Sequence, residues 1–299
     1  MIVAELRTRI GLNPDSIGEQ ALTAAIETRM RVLKINTQAN YAHQLRSNPQ
    51  EFQALVDELV VSETWFFRTP ELFETVVAYV RAMGIGRDSN RVVRILSVAC
   101  STGEEPYSLV MALHQGGVPP YAVRVTGVDL STRNIEVAKR GHYGDFSFRQ
   151  TPVDMRNLFF RPAEDGWELH SFVRDEVTYR VGNLIDPLFL ADHPPCDIIF
   201  CRNVFIYLTP EARARALTSL TRLLVPGGLL ALGHAESSDL RDPPWSRYGP
   251  EAAGLYRLAA PELETPPPRL NGTLVKSIAV PTVVKSNPTP VNFGNGKPE

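Results

Sequence analysis

Apolar positions recur every three or four residues through the first third of the chain and then give way to short β-branched runs. Leu22, Ala25, Ile26, Met30 and Leu33 share one helical face, after a Ser16–Glu19 pair with capping-box spacing. Asn48-Pro49 opens a second predicted helix, with Phe52, Leu55, Val56, Leu59 and Val60 apolar. Thr69-Pro70 opens a third, carrying Leu72, Phe73, Val76, Val77 and Val80 to a stop at Gly84. Strand-like runs are scarce here, so residues 1–85 are predicted to form a small all-helical domain.

From Arg91 the period changes. Val92–Ala99, Val123–Val128, Cys196–Cys201 and Leu229–Gly233 read as strands, and Glu105–His114, Thr132–Arg140 and Glu211–Val225 as helices between them. Alternation at this spacing predicts an α/β domain over residues 86–260, a mostly parallel sheet covered on both faces. Such sheets bind ligands beyond the carboxyl ends of their strands. Within an insertion at about 146–182, Trp167–Val173 and Val177–Val181 are expected to pair as a β-hairpin. Residues 261–299 hold eight prolines and one aromatic, Phe293, and read as an extended or disordered tail or linker.

Charge and cysteine usage narrow the class. With 31 Lys+Arg against 33 Asp+Glu, a net charge of −2 excludes a globally basic nucleic-acid binder. No uncharged apolar run nears the ~20 residues of a membrane span, and Glu5, Arg7 and Arg9 interrupt the first apolar segment, so no secretory leader is expected. Cys100, Cys196 and Cys201 form no CxxC and sit among apolar residues. Buried thiols in a reducing cytoplasm are expected, with neither disulfides nor metal, and a monomeric protein.

Four segments carry candidate chemistry. In VACSTGEEPYSL (98–109) a strand-to-helix turn with Gly103 lets a ligand approach. Its single glycine is not a dinucleotide fingerprint. Glu104 and Glu105 there either attract a cationic ligand head or complement the helix dipole. Asp129 closes the second strand 26 residues after Gly103, where an acid either holds both hydroxyls of a ribose or caps the following helix. Arg202-Asn203 end an apolar strand abruptly, with Tyr207 shortly after; a ligand or a local network must satisfy them. In SETWFFRTP (62–70) Trp65, Phe66 and Phe67 are expected in the interdomain core. Arg68 either faces the cleft, suited to a carboxylate, or pairs with Glu71 or Glu74. His234 in GHAES reads as structural.

Taken in order, SETWFFR, ACSTGEEPYSL, GVDLS, VGNLIDP, CDIIFCRNVFIYL and LLVPGGLLALGHAES resemble the chemotaxis-receptor methyltransferases, which are S-adenosylmethionine-dependent protein-glutamate O-methyltransferases. The resemblance spans residues 5 to 259. It implies a class I methyltransferase-type, Rossmann-like sheet with a small helical N-terminal domain facing the receptor and a β-hairpin insertion. It implies Asp129 on the ribose, Asn183 and Leu184 beside the adenine, and Arg202 and Asn203 lining the cofactor site. Thr64, Arg68 and one of the two glutamates, Glu104 or Glu105 with Glu105 preferred, are implied at the methionine part, and Arg68 and Tyr207 at the acceptor carboxylate. Ser62 stands where members of the family carry asparagine, and the segment between Arg161 and Val181 is short beside members that dock there on a receptor tail.

Such chemistry suits these residue types, because a glutamate with pKa ~4.3 is already ionised and needs desolvation and alignment, not a strong base. Between Thr28 and Gln50 the chain has the cations Arg29, Arg31, Lys34 and Arg46 and no acid. With the resemblance, that run is expected to dock the acidic cytoplasmic helical domain of a methyl-accepting chemoreceptor-like protein. The expected products are glutamate methyl esters and S-adenosylhomocysteine, in adaptation of a bacterial signalling pathway. The alternative is a cofactor-binding signalling scaffold without turnover.

Overall fold

A computed structural model of the chain describes residues 1–85, 91–240 and 243–260, so the Pro-rich tail lies outside the described residues. Helices α1 (Ile2–Ile10), α2 (Pro14–Ile17), α3 (Glu19–Leu33), α4 (Gln38–Ser47) and α5 (Pro49–Leu59) pack around Leu6, Tyr41, Leu45 and Leu55, all buried. Asn48 caps α5, its Oδ1 accepting the amides of Gln50 (3.0 Å) and Glu51 (3.2 Å) ahead of Pro49. The Ser16 capping box does not form. Ser16 lies within α2 and donates to the Asn13 carbonyl (2.6 Å), while α3 starts after Gly18 at φ 80°, a turn that glycine tolerates.

Helix α6 (Pro70–Ala82) joins a different core. Its Leu72, Phe73, Val76 and Val80 pack with Ile95, Phe200 and Leu229 of the sheet, not with the first five helices. Period alone identified its apolar face; which surface that face meets is a tertiary matter.

Among the described residues ten strands follow: β1 (Val93–Val98), β2 (Val123–Asp129), β3 (His142–Tyr143), β4 (Phe160–Ala163), β5 (Gly166–Leu169), β6 (Val177–Val181), β7 (Cys196–Cys201), β8 (Leu224–Leu232), β9 (Trp245–Tyr248) and β10 (Leu255–Leu258). Between them run α7 (Glu104–Gln115), α8 (Thr132–Arg140), α9 (Val153–Phe159), α10 (Ser171–Arg174) and α11 (Pro210–Leu223). One seven-stranded sheet has the order β6-β2-β1-β7-β8-β10-β9, parallel from β6 to β8 and antiparallel beyond. Ile95, Ile198 and Phe200 face the core of α6 and α7, whereas Leu96, Ile199 and Cys201 face that of α11. Burial on both faces is why these strands are continuously apolar.

The insertion differs from expectation in its pairing. β4 and β5 form the hairpin (Ala163↔Gly166) and β3 adds to β5, making a small antiparallel sheet. Val177–Val181 instead extends the main sheet, parallel to β2 with Val125 opposite Val177. Strand propensity marked both runs, but partner choice depends on which edge lies free, and β2 offered one.

Order in the sheet positions the site. From β1 the chain winds outward through β2 to β6, then returns to place β7 on the other side of β1. The carboxyl ends of β1 and β7 therefore flank a topological switch point, where connections leave in opposite directions and open a crevice.

Candidate active site

That crevice is lined by Ala99–Ser101 after β1, Asp129 at the end of β2, Glu105 in the first turn of α7, and Arg202 and Asn203 after β7. The helical bundle closes the other side with Ile10, Leu12, Ile17 and Leu59, opposite Leu130 and Leu208. It spans about 1060 Å³, part of it open to solvent, and its lining mixes polar and apolar residues.

Five residues around the crevice hold positive φ without being glycine: Phe67 (58°), Thr69 (68°), Ala99 (56°), Ser101 (51°) and Asn203 (59°). Left-handed backbone is uphill for side-chain-bearing residues, so each needs a restraint. For all but Ala99 a restraining hydrogen bond is visible. Phe67 N donates to Ser108 Oγ (2.9 Å), Ser101 N to Asp129 Oδ2 (2.8 Å) and Asn203 N to Glu236 Oε2 (2.8 Å). Arg202 binds the Arg68 carbonyl (3.3 Å) and Thr69 Oγ1 (2.7 Å).

Asp129 is buried, and burial pushes its carboxyl above the ordinary range. It accepts from Ser101 N, Ser131 N (2.9 Å) and Asn134 Nδ2 (3.2 Å). The cap of α8 is Ser131, whose Oγ accepts Asn134 N (3.2 Å), so Asp129 is not spent on capping. Ser62 Oγ donates to Asn134 Oδ1 (2.9 Å) and so reaches Asp129 through one intermediary.

Adjacent helix positions diverge by about 100°, so Glu104 and Glu105 face different surroundings. Glu104 is buried under Thr102 Oγ1 (2.7 Å) and Ser147 Oγ (2.9 Å). Glu105 lines the crevice, accepting Ser97 Oγ (2.8 Å) and Arg202 Nη1 (3.1 Å). Arg202 is buried, and among the described residues its Nε has no partner; neither has Ser101 Oγ.

Arg68 lines the crevice half-buried, and no carboxylate among the described residues lies within ion-pair distance; Glu71 and Glu74 do not pair with it. Burial first, then neighbouring Arg202, lowers its pKa. Its guanidinium sits 4.3 Å from the Trp65 ring centroid. Phe66 and Phe67 are core as expected, Phe66 stacking on Phe148 of the insertion (5.1 Å), but Trp65 stays at the crevice rim. Thr64 and Tyr207 line the same space, and burial holds the Tyr207 phenol above its ordinary pKa.

Asn183 and Leu184 are not among the lining residues. Asn183 Nδ2 donates to the Arg9 carbonyl (2.7 Å) and Leu184 is buried in the core shared with α11. Of the four cations expected to dock a partner, Arg29 is committed inside the bundle. Its Nε and Nη2 bind both oxygens of buried Glu51 (3.1 and 2.7 Å), because that carboxylate needs a charged partner. Arg46 lies 4.0 Å from Glu5, and Arg31 and Lys34 are exposed.

Sequence reasoning missed Glu236. Buried at the end of β8, it accepts the amides of Gly233 (2.8 Å), Asn203 (2.8 Å) and Phe205 (2.7 Å), tying two strand ends together. An acid inside the apolar GHAES segment was the available signal. The three thiols are buried, and burial pushes Cys196 up to about 12, so they are inert at neutral pH. Among the described residues no helix is long and apolar enough to cross a membrane, and no His/Cys/Asp/Glu group is arranged for a metal ion.

Two family models match the chain: "CheR methyltransferase, all-alpha domain" over residues 1–60 and "CheR methyltransferase, SAM binding domain" over residues 62–247. A "probable biofilm formation methyltransferase WspC" of Pseudomonas aeruginosa is 41% identical over 252 residues, 84% of this chain and 58% of that protein. Its namesake in Pseudomonas putida is 38% identical over 233 residues, 78% of this chain and 55% of that one. "Chemotaxis protein methyltransferase 2" of Vibrio cholerae is 32% identical over 195 residues, 64% of this chain and 68% of that protein. The chain thus spans little more than half the length of the two WspC relatives. It belongs to the CheR methyltransferase family, and most residues lining the crevice lie in the part matched by the family's S-adenosylmethionine-binding domain, with Ile10, Leu12, Ile17 and Leu59 in the part matched by its all-alpha domain.

Proposed function

We propose that this member of the CheR methyltransferase family transfers a methyl group from S-adenosylmethionine to glutamate side chains of a methyl-accepting, chemoreceptor-like protein on the cytoplasmic side of a signalling system. One observation carries the reading: beside the buried Arg202–Glu105 pair stands Arg68, a half-buried cation with no carboxylate of its own among the described residues. The signalling setting comes from relatives named for chemotaxis and for biofilm formation.

The lining fits the donor. Ser101 Oγ and Arg202 Nε are buried polar atoms without partners, Glu105 and Asp129 supply two carboxylates, and Ile10, Leu130 and Leu208 offer an apolar wall for a base. Bound there, the donor supplies an electrophilic methyl group on a positively charged sulfur. Asp129 has one acceptor direction left beyond its three bonds for a ribose hydroxyl. Thr64, Arg68 and Glu105 face the amino-acid part, with Arg202 and Asn203 completing the wall. The side chains of Asn183 and Leu184 are committed elsewhere and neither residue lines the crevice, so no contact to the adenine is assigned to them.

The acceptor glutamate arrives ionised, pKa ~4.3. Its reactivity is limited by water, which the bundle wall and Trp65 exclude from this side of the crevice. Arg68 offers a planar set of donors that fixes the carboxylate plane. Tyr207, held protonated by burial, donates a hydrogen bond and does not act as a base. Of the docking cations Arg31, Lys34 and Arg46 remain, and Arg29 does not.

The test is incubation with tritiated S-adenosylmethionine and receptor cytoplasmic fragments, scoring label released as methanol by mild base. Base-labile label on glutamate is the expected result. Binding of S-adenosylhomocysteine by calorimetry with no label on any receptor fragment overturns the transfer step and leaves a scaffold.

A further inference from the structure

A ladder of alternating rings and guanidinium groups runs from the surface into the crevice. Phe146, 66% exposed, lies 3.8 Å from the Arg149 guanidinium carbon, and that carbon lies 3.7 Å from the Trp65 centroid. The Arg68 guanidinium carbon lies 4.3 Å from the same centroid, already inside the crevice. Trp65 is held through Nε1 to Gln150 Oε1 (2.9 Å), and Arg149 through the carbonyls of Phe146 (3.0 Å) and Thr64 (3.4 Å). Among the described residues the one carboxylate paired with Arg149 is exposed Glu63, at 3.4 Å, and it too lines the crevice mouth. The reaction as derived above uses neither Arg149 nor Phe146.

We propose that this ladder is the acceptor's docking surface and that its partner is a helical segment carrying two acidic residues three or four positions apart. One carboxylate goes to Arg68 for methylation, the other to Arg149 at the rim, and the aliphatic groups between them lie on Trp65 and Phe146. This rests on reading the crevice as a glutamate methyl-transfer site. Two guanidinium groups against one ring repel each other and shed part of their water, so a pair of carboxylates relieves both. A stacked guanidinium keeps its N–H edge free for in-plane, bidentate recognition. Acids at i and i+3 or i+4 on a helix have Cβ atoms about 5–6 Å apart, a spacing that two long side chains can extend to cations ranged around one ring. Exposed Val61 beside the crevice and Ile206 next to Tyr207 continue the apolar rim. In the free protein Glu63 stands in for the second acid, in an exposed pair weak enough for an incoming carboxylate to displace.

The experiment compares two receptor cytoplasmic fragments as acceptors of tritiated methyl, one with an acid three or four positions from the methylated glutamate and one with that acid replaced by glutamine. Arg149→Gln is expected to raise KM for the paired-acid fragment about three- to tenfold, and less than about twofold for the neutralised one. Arg149→Lys, which keeps charge but not the planar stack, falls between. Glu63→Gln is expected to lower KM for the paired-acid fragment about two- to threefold by freeing Arg149. Equal loss on both fragments, no loss on either, or a rise in KM with Glu63→Gln overturns the ladder. Wild-type protein that binds S-adenosylhomocysteine but labels neither fragment overturns the methyl-transfer reading itself, and the ladder with it.

Discussion

Arg29–Glu51 and Arg202–Glu105 are both buried arginine–carboxylate pairs, yet they differ in completeness. In the bundle, Glu51 takes two bonds from Arg29 and a third from the Tyr41 hydroxyl (2.8 Å), joining α3, α4 and α5 in one register. In the crevice, Arg202 reaches Glu105, Thr69 and a carbonyl, but its Nε finds no partner among the described residues, and Arg68 beside it reaches the Glu63 carbonyl (3.4 Å) but no carboxylate there. The first pair is saturated and the second is not. Burial of charge is therefore a poor guide to function in this protein; unused hydrogen-bonding capacity, held by strained backbone at a sheet's switch point, is a better one.

The largest effect that would break this contrast is in the bundle. Arg29→Met leaves Glu51 buried without its cation and is expected to cost about 3–5 kcal/mol in urea unfolding. Affinity of the remaining folded protein for S-adenosylhomocysteine should be unaltered; a parallel loss would show that the two pairs are not separate. Next, Glu105→Gln removes the charge that Arg202 faces, with an expected loss of about 1.5–3 kcal/mol in cofactor affinity by calorimetry. A stability loss exceeding the affinity loss would group it with Glu51. Tyr207→Phe is expected to lower kcat about tenfold and to change S-adenosylhomocysteine affinity less than about twofold.

The smallest effect is in pH. Burial raises the Asp129 carboxyl above 3.8, and the ionised form is the one proposed to accept a ribose hydroxyl, so cofactor affinity should begin to fall above that pH on acidification. The sign for folding is opposite: a raised folded pKa contributes stability that is present at low pH and lost as pH rises through that raised value. Asp129→Asn should abolish the acid limb of affinity, and titration calorimetry against pH on both proteins checks it.

Local features were legible where neighbours in the chain decide them. Asn48-Pro49 specified a helix start, and the strands at Val93–Val98 and Cys196–Cys201 followed from mainly apolar runs. Asp129, Arg202 and Asn203 stood out as polar groups ending such strands, where a parallel sheet collects its ligand-binding residues. Ser16 misled because hydroxyl-to-acid spacing does not exclude a separate short turn, here ended by Gly18. Val177–Val181 misled because a strand's sequence carries its propensity and faces but not its partner.

Element type, the two-region pattern and the residues at strand ends were thus decided by short-range chemistry, which the order of side chains contains. Folding alone decided that Glu105 and not Glu104 meets the crevice, that Arg29 is consumed by Glu51, and that Arg149 and Phe146 line up with Trp65 and Arg68. Each of these depends on a partner between 22 and 97 positions away or on which side of a helix faces inward, and such distances are closed by packing, not by neighbours along the chain.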